Sequence, residues 1–95
     1  MYFKKLYDKI CIEGKNKKQL YESKKYDMHK HHILPTHNGG DDTEENFTYV
    51  TIREHIICHY LLWKIYKMPN DLRSMKMLGA KLTSNQRRIV GLWCK

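Results

Sequence analysis

The sequence holds 95 residues and 11.5 kDa of mass, which allows one small domain with a thin core. With 41% hydrophobic and 29% charged residues, it is neither a disordered chain nor a fibrous repeat. Eighteen Lys+Arg against ten Asp+Glu give a formal net charge of +8, a balance suited to a polyanion such as nucleic acid, with a lysine-rich surface that only aids solubility as the bland alternative.

The first segment reads as a helix. Phe3, Leu6, Tyr7 and Ile10 recur at i, i+3, i+4 and i+7, the spacing of one apolar helix face, and Gly14 and Asn16 then interrupt it. From Lys15 to Lys30 the chain is polar and lysine-rich, with Leu20, Tyr21 and Tyr26 as its only large anchors; helix and loop are both open there. His31-His32-Ile33-Leu34, closed by Pro35, is consistent with a strand. Thr36 to Asn46 (THNGGDDTEEN) is a turn-rich loop of 11 residues, long for a small domain, and long loops are often functional. Phe47 to Val50 alternates aromatic and β-branched residues and reads as the partner strand.

Thr51-Ile52-Arg53-Glu54 matches a capping box, with Thr51 as N-cap and Glu54 reaching back. The helix it opens should run to about Lys67 and stop before Pro69. Its apolar stripe is Ile52, Ile56, Tyr60 and Trp63, widened by Ile57, Leu61 and Ile65. A further helix is expected over 71–82, and another from Gln86 to Trp93.

Charge is unevenly placed. Residues 1–30 carry nine Lys and four acids, residues 31–55 one Arg and five acids, and residues 56–95 eight basic groups and one acid. Two basic flanks therefore enclose an acidic, histidine-bearing centre. The three cysteines, Cys11, Cys58 and Cys94, are odd in number and lack any C-x-x-C pair, which argues against a disulfide framework and against a four-cysteine zinc ribbon. The longest uncharged run, Ile56 to Trp63, falls far short of a membrane span. The N-terminal stretch has no apolar run of signal-peptide length. A cytoplasmic protein without a membrane partner is expected.

Five of the six histidines lie between His29 and His55. His55 and His59, four apart on a predicted helix, project from one face one turn apart, the spacing of a two-histidine metal grip. A lone pair of this kind often has no metal. Here a histidine doublet precedes it, and in a strand His31 and His32 point to opposite sides, so one can join His55 and His59 at an ion while the other faces a substrate.

The order of these residues, His31-His32, Asn46, His55 and His59, resembles the HNH endonucleases, also called ββα-metal or His-Me finger nucleases. The intervening text, HHILPTHNGGDDTEENFTYVTIREHIICH, is similar to the pattern of phage and mobile-element (homing) HNH enzymes, and the spacing of His59 after His55 also resembles the colicin DNases. The resemblance covers residues 31–59, with Tyr7, Leu20 and Trp63 fitting more loosely.

It implies an α+β fold: a two-stranded hairpin with a long loop, packed on a metal-binding helix, with added N- and C-terminal helices. It implies a single nuclease domain over 1–95, its core at about 28–67, a helical arm at 1–27 and C-terminal helices at 69–95. It also implies hydrolysis of a DNA phosphodiester, probably-paired strands being the natural substrate of such enzymes, to 5′-phosphate and 3′-hydroxyl ends. His31, His55 and His59 would hold one divalent metal ion, His32 would be the general base, and Asn46 would hold the hairpin so that His32 stays aimed. Many relatives carry an acid where this chain has His31, so the ligand set is neutral; of Mg, Mn, Zn, Ni and Co, imidazoles suit the last four better than Mg. Lys30, Arg53, Arg87 and Arg88 are candidates for contact with DNA phosphate, an ordinary surface role being equally open. His29 and His37 are read as solvated loop histidines, and Asp41, Asp42, Glu44 and Glu45 as a solvated hairpin tip. A phage-encoded enzyme of this kind would act in the host cytoplasm, alone or as a homodimer. The competing readings are a metal-stabilised nucleic-acid-binding module that does not cut, and a basic interaction protein with incidental histidines.

Overall fold

The computed structural model describes residues 2–80 together with Leu82, Ser84 and Arg88. The elements in chain order are α1 (Tyr2–Lys15), α2 (Lys18–Ser23), β1 (Met28–His32), β2 (Phe47–Thr51), α3 (Ile52–Tyr66) and α4 (Pro69–Gly79), with single 3-10 turns at Thr36–Asn38 and Glu44–Asn46 inside the long loop. It is a mixed α+β arrangement whose two-stranded antiparallel sheet runs directly into α3, compatible with a small ββα fold.

The ribbon pairs Met28 with Thr51, His29 with Val50, His31 with Thr48 and His32 with Phe47. Side chains alternate across a strand, so His29, His31, Thr48 and Val50 share one face while Lys30, His32, Phe47 and Tyr49 share the other. The strand begins three residues earlier than the apolar run Ile33-Leu34 suggests. Pairing with Phe47–Thr51 decides the matter, and beyond His32 the chain turns into the loop.

Helix α3 opens with the capping box expected of it: the Glu54 N–H donates to Thr51 Oγ1 at 3.2 Å, and the Thr51 N–H donates to the Glu54 carboxylate at 2.9 Å. It closes with Lys67 at φ 58°, whose N–H returns to Trp63 O. Pro69 then starts α4, where a missing N–H costs nothing, two residues earlier than the expected 71. The expected helix over Gln86–Trp93, Cys94 and Arg87 lie outside the described residues.

The core forms where α1 and β2 meet α3. Tyr7, Cys11, Val50, Cys58, Leu61 and Leu62 are buried together, flanked by Phe3, Leu6 and Ile10. A second cluster, Ile52, Ile56, Leu78 and Leu82, joins α3 to α4. No helix among the described residues is long and apolar enough to cross a membrane.

Helix α1 does not stop at Gly14 but runs through it to Lys15. The glycine is there for proximity. A Cβ on Gly14 would collide with Thr48 Oγ1 and lie 2.8 Å from the Tyr49 carbonyl oxygen. Thr48 Oγ1 itself donates to the Cys11 carbonyl at 2.6 Å, so helix and strand meet backbone to backbone. In an open helix, Gly→Ala gains about 1 kcal/mol. Here crowding of about 1–3 kcal/mol opposes it, and Gly14→Ala should lower the melting temperature by several degrees. A raised melting temperature would show that α1 does not lie on β2 this closely.

Candidate metal centre

The inner face of β1 and the first turns of α3 bring three histidines together. Ligand atoms of His31, His55 and His59 all lie within 4.8 Å of one another, so these residues form a group able to hold a metal ion. Their rings are mutually edge-on or tilted, with centroids 4.9–5.1 Å apart, and the Nε2 atoms of His55 and His59 are separated by 3.2 Å. They open onto a cavity of about 260 Å³ also bordered by Lys30, His32, Pro35, Thr36, His37 and Ser74. His31 forms its floor at 3% exposure.

Each of the three has a second partner. The Tyr7 hydroxyl lies 2.9 Å from His31 Nε2 and 2.5 Å from the Ile33 carbonyl. His55 Nδ1 meets His29 Nδ1 at 2.9 Å. His59 Nδ1 donates to Asp71 Oδ1 at 2.8 Å, and His37 Nε2 approaches the other oxygen of Asp71 at 3.4 Å. Asp71 is fully buried, and these two imidazoles satisfy a carboxylate that would otherwise be costly there.

His29 and His37 are therefore not solvated loop residues. His29 is in the strand, two positions before His31 on the same face, and packs on His55. His37 is pinned from the loop to α4. Asp71, a lone acid in a basic stretch, gave no signal in the sequence.

His32 lies on the opposite face, its ring against Phe47 with centroids 4.8 Å apart. Being at the ribbon's end it still borders the cavity. Its Nε2 is 2.8 Å from Asp42 Oδ1, so Asp42 is more than part of a solvated tip. Glu44 likewise reaches Lys18 at 2.8 Å and accepts from the Tyr49 hydroxyl. Asn46 spans the loop: its Oδ1 accepts from the Leu34 N–H at 2.8 Å, and its Nδ2 donates to the carbonyls of Leu34 and Asp41 at 3.0 and 2.8 Å. Lys30 sits 4.4 Å over the Phe47 ring at the cavity's edge, whereas Arg53 and Arg88 are exposed.

Burial, and then the nearby His55 and His59, hold the His31 pKa well below the ordinary histidine range. Burial lowers that of His59 too, with Asp71 opposing. Both rings stay neutral and keep a lone pair, which metal ligation requires.

The chain is similar to three proteins of Enterobacteria phage T4. It is 38% identical to "Probable mobile endonuclease D" over 66 residues, 70% of this chain and 26% of that protein. It is 33% identical to "Probable mobile endonuclease E" over 78 residues, 82% of this chain and 52% of that one, and 31% identical to "Probable mobile endonuclease B" over 78 residues, 82% and 30% of the two chains. These similarities support kinship with a phage mobile endonuclease family. The chain spans between about a quarter and a half of the length of these relatives. No family model matches it, and no solved structure does.

The lowered pKa values set a pH dependence. Above about pH 6.5 both folded and unfolded chains are neutral at His31 and His59. Below it the unfolded chain takes up protons that the folded one refuses, so stability falls as pH drops from about 6.5 toward the depressed folded values, by at most about 1.4 kcal/mol per unit for each ring. Melting of chelator-treated protein between pH 8 and pH 5 should show a plateau and then this decline. A flat profile would contradict two buried neutral imidazoles.

Proposed function

We propose that the chain is a divalent-metal-dependent endonuclease of the HNH (ββα-metal) type, cutting double-stranded DNA. The observation that carries this reading is the pair of Nε2 atoms of His55 and His59, 3.2 Å apart beside buried His31. Asp71 draws the His59 proton to Nδ1, which leaves a lone pair on Nε2. Tetrahedral coordination at about 2.0–2.1 Å places ligand nitrogens about 3.3 Å apart, so the donor set fits an ion without rearrangement. The similarity to phage mobile endonucleases supports a nuclease, and the strand-loop-strand-helix frame agrees with the type.

A divalent ion held by His31, His55 and His59 would supply positive charge to a phosphate oxygen and to the departing 3′ oxygen. The other roles belong to side chains. His32 is the general base: with its Nε2 proton directed at Asp42, its Nδ1 lone pair is free to take a proton from water. Asn46 ties Leu34 to the loop's far side and so fixes the end of β1 from which His32 projects. Lys30, at the cavity's edge, contacts phosphate, and the basic flanks, with Arg53, Arg87 and Arg88, hold the duplex. The products are 5′-phosphate and 3′-hydroxyl ends.

A plasmid-nicking assay with and without chelator tests the reading. Wild type should cut only with metal. His32→Ala should melt like wild type, keep metal and DNA binding, and lose about 10²–10⁴-fold in rate; His59→Ala should lose metal first. If both variants cut at the wild-type rate, the site is elsewhere. Metal and DNA binding without any cutting would instead identify a non-cleaving nucleic-acid-binding module.

Binding to DNA should weaken with salt, log K falling by about 0.9 per phosphate contact for each unit of log salt. Fluorescence anisotropy with unrelated duplexes should give similar slopes of several contacts. A salt-independent affinity would refute the role of the flanks.

A further inference from the structure

The protons on this histidine network can be traced from its ends, because the end groups admit one arrangement only. Tyr7 has a single hydroxyl proton, and its shorter contact is to the Ile33 carbonyl at 2.5 Å, a group that can only accept. The Tyr7 oxygen then accepts from His31, whose Nε2 lies 2.9 Å away. Neutral His31 carries one proton, so that proton is on Nε2 and its lone pair on Nδ1. At the other end Asp71 accepts from His59 Nδ1 at 2.8 Å, which leaves the lone pair on His59 Nε2. Both rings are set by groups outside the cavity.

His55 lies between them and has no such anchor. In the metal-free protein its 3.2 Å contact with the His59 Nε2 lone pair requires a proton on His55 Nε2. Its Nδ1 then accepts from His29 Nδ1, 2.9 Å away. The donor bonds run in one direction, from His29 through His55 and His59 to Asp71. An ion needs the opposite at His55: a lone pair on Nε2 and a proton on Nδ1. That proton can be accepted by His29 Nδ1, provided His29 shifts its own proton to Nε2, which faces Asp27 Oδ1 at 3.8 Å.

We propose that Tyr7, Asp71 and His29 are positioning residues of the three-histidine centre. Tyr7 and Asp71 hold His31 and His59 in the ion-ready tautomer whether or not an ion is bound, while His29 reverses its bond to His55 when one binds. No net proton is gained or lost in the reversal. The inference rests on the reading of His31, His55 and His59 as metal ligands. It assigns His29, Tyr7 and Asp71 to a role that follows from their bonding and not from membership of the ligand set. Partners of this kind typically alter metal affinity by about 10–100-fold.

Long-range ¹H–¹⁵N spectra of the ¹⁵N-histidine-labelled protein at pH 8 read the tautomers directly, using Zn²⁺ as the probe. In the metal-free protein His31 and His55 should carry the proton on Nε2, and His59 and His29 on Nδ1. With Zn²⁺, His31 and His59 should keep theirs, and His55 and His29 should exchange. Tyr7→Phe, Asp71→Asn and His29→Phe should each weaken Zn²⁺ about 10–100-fold in a competition titration. If Zn²⁺ shifts none of the three ligand rings, the metal reading fails. If Zn²⁺ binds them but His31 or His59 changes tautomer on loading, or His55 does not, the positioning proposal fails while the metal reading stands. Unchanged affinity in all three variants overturns it equally. Should a variant not fold, the wild-type spectra still decide.

Discussion

The bond between Tyr7 and His31 joins the parts of this small molecule that carry everything else. Tyr7 is 2% exposed and His31 3%, so each has lost its water. An unsatisfied polar group at that depth costs about 1–3 kcal/mol, and here each satisfies the other, with the Ile33 carbonyl taking the phenol's proton. The same tyrosine ring packs in the apolar cluster with Cys11, Val50 and Leu61. One side chain on α1 thus fixes the end of β1 and belongs to the core. The requirement reaches further along α1, because the helix must pass β2 closely enough for Tyr7 to arrive. Gly14 permits that approach.

From this junction the centre is assembled by four separate elements. β1 contributes His31 and His29, α3 contributes His55 and His59, the loop contributes His37, and α4 contributes Asp71. A two-stranded ribbon is marginal alone, and it is held here by helices on which its inner face rests. Asp71 pulls in two directions at once: its carboxylate ties α4 to α3 through His59 and ties the loop to α4 through His37. The thin core of a 95-residue chain is thus supplemented by a buried polar network whose members are also the chemistry.

What was legible in the sequence was what is local. Thr51 and Glu54 are three residues apart and form their box within one turn. His55 and His59 are neighbours on a helix wherever it lies, and the order of histidines and asparagine carries the resemblance. The rest depends on partners far along the chain. His29 meets His55 across 26 positions and His37 meets Asp71 across 34, and no spacing rule announces either. Gly14 looked like a helix breaker because propensity counts only its own backbone; its contact with Thr48 and Tyr49 supplies the reason for it. The strand was placed too late because Ile33 and Leu34 are apolar, whereas pairing with β2 selects Met28–His32, polar histidines included.

The charge pattern acquires a physical sense from the same contacts. The acidic centre between two basic flanks might seem hostile to a polyanion, yet its acids are engaged. Asp42 meets His32, Glu44 meets Lys18, Glu54 meets Lys17 and Asp71 is buried between two imidazoles. Exposed pairs such as Lys18 with Glu44 add little to stability. Their effect is on the field: an acid beside a base offers an approaching phosphate a dipole where it would otherwise meet a full negative charge. The net +8 is then expressed by the flanks, and Lys30 at the edge of the histidine cavity brings that positive field to the place where the neutral imidazoles, which contribute none, line the floor.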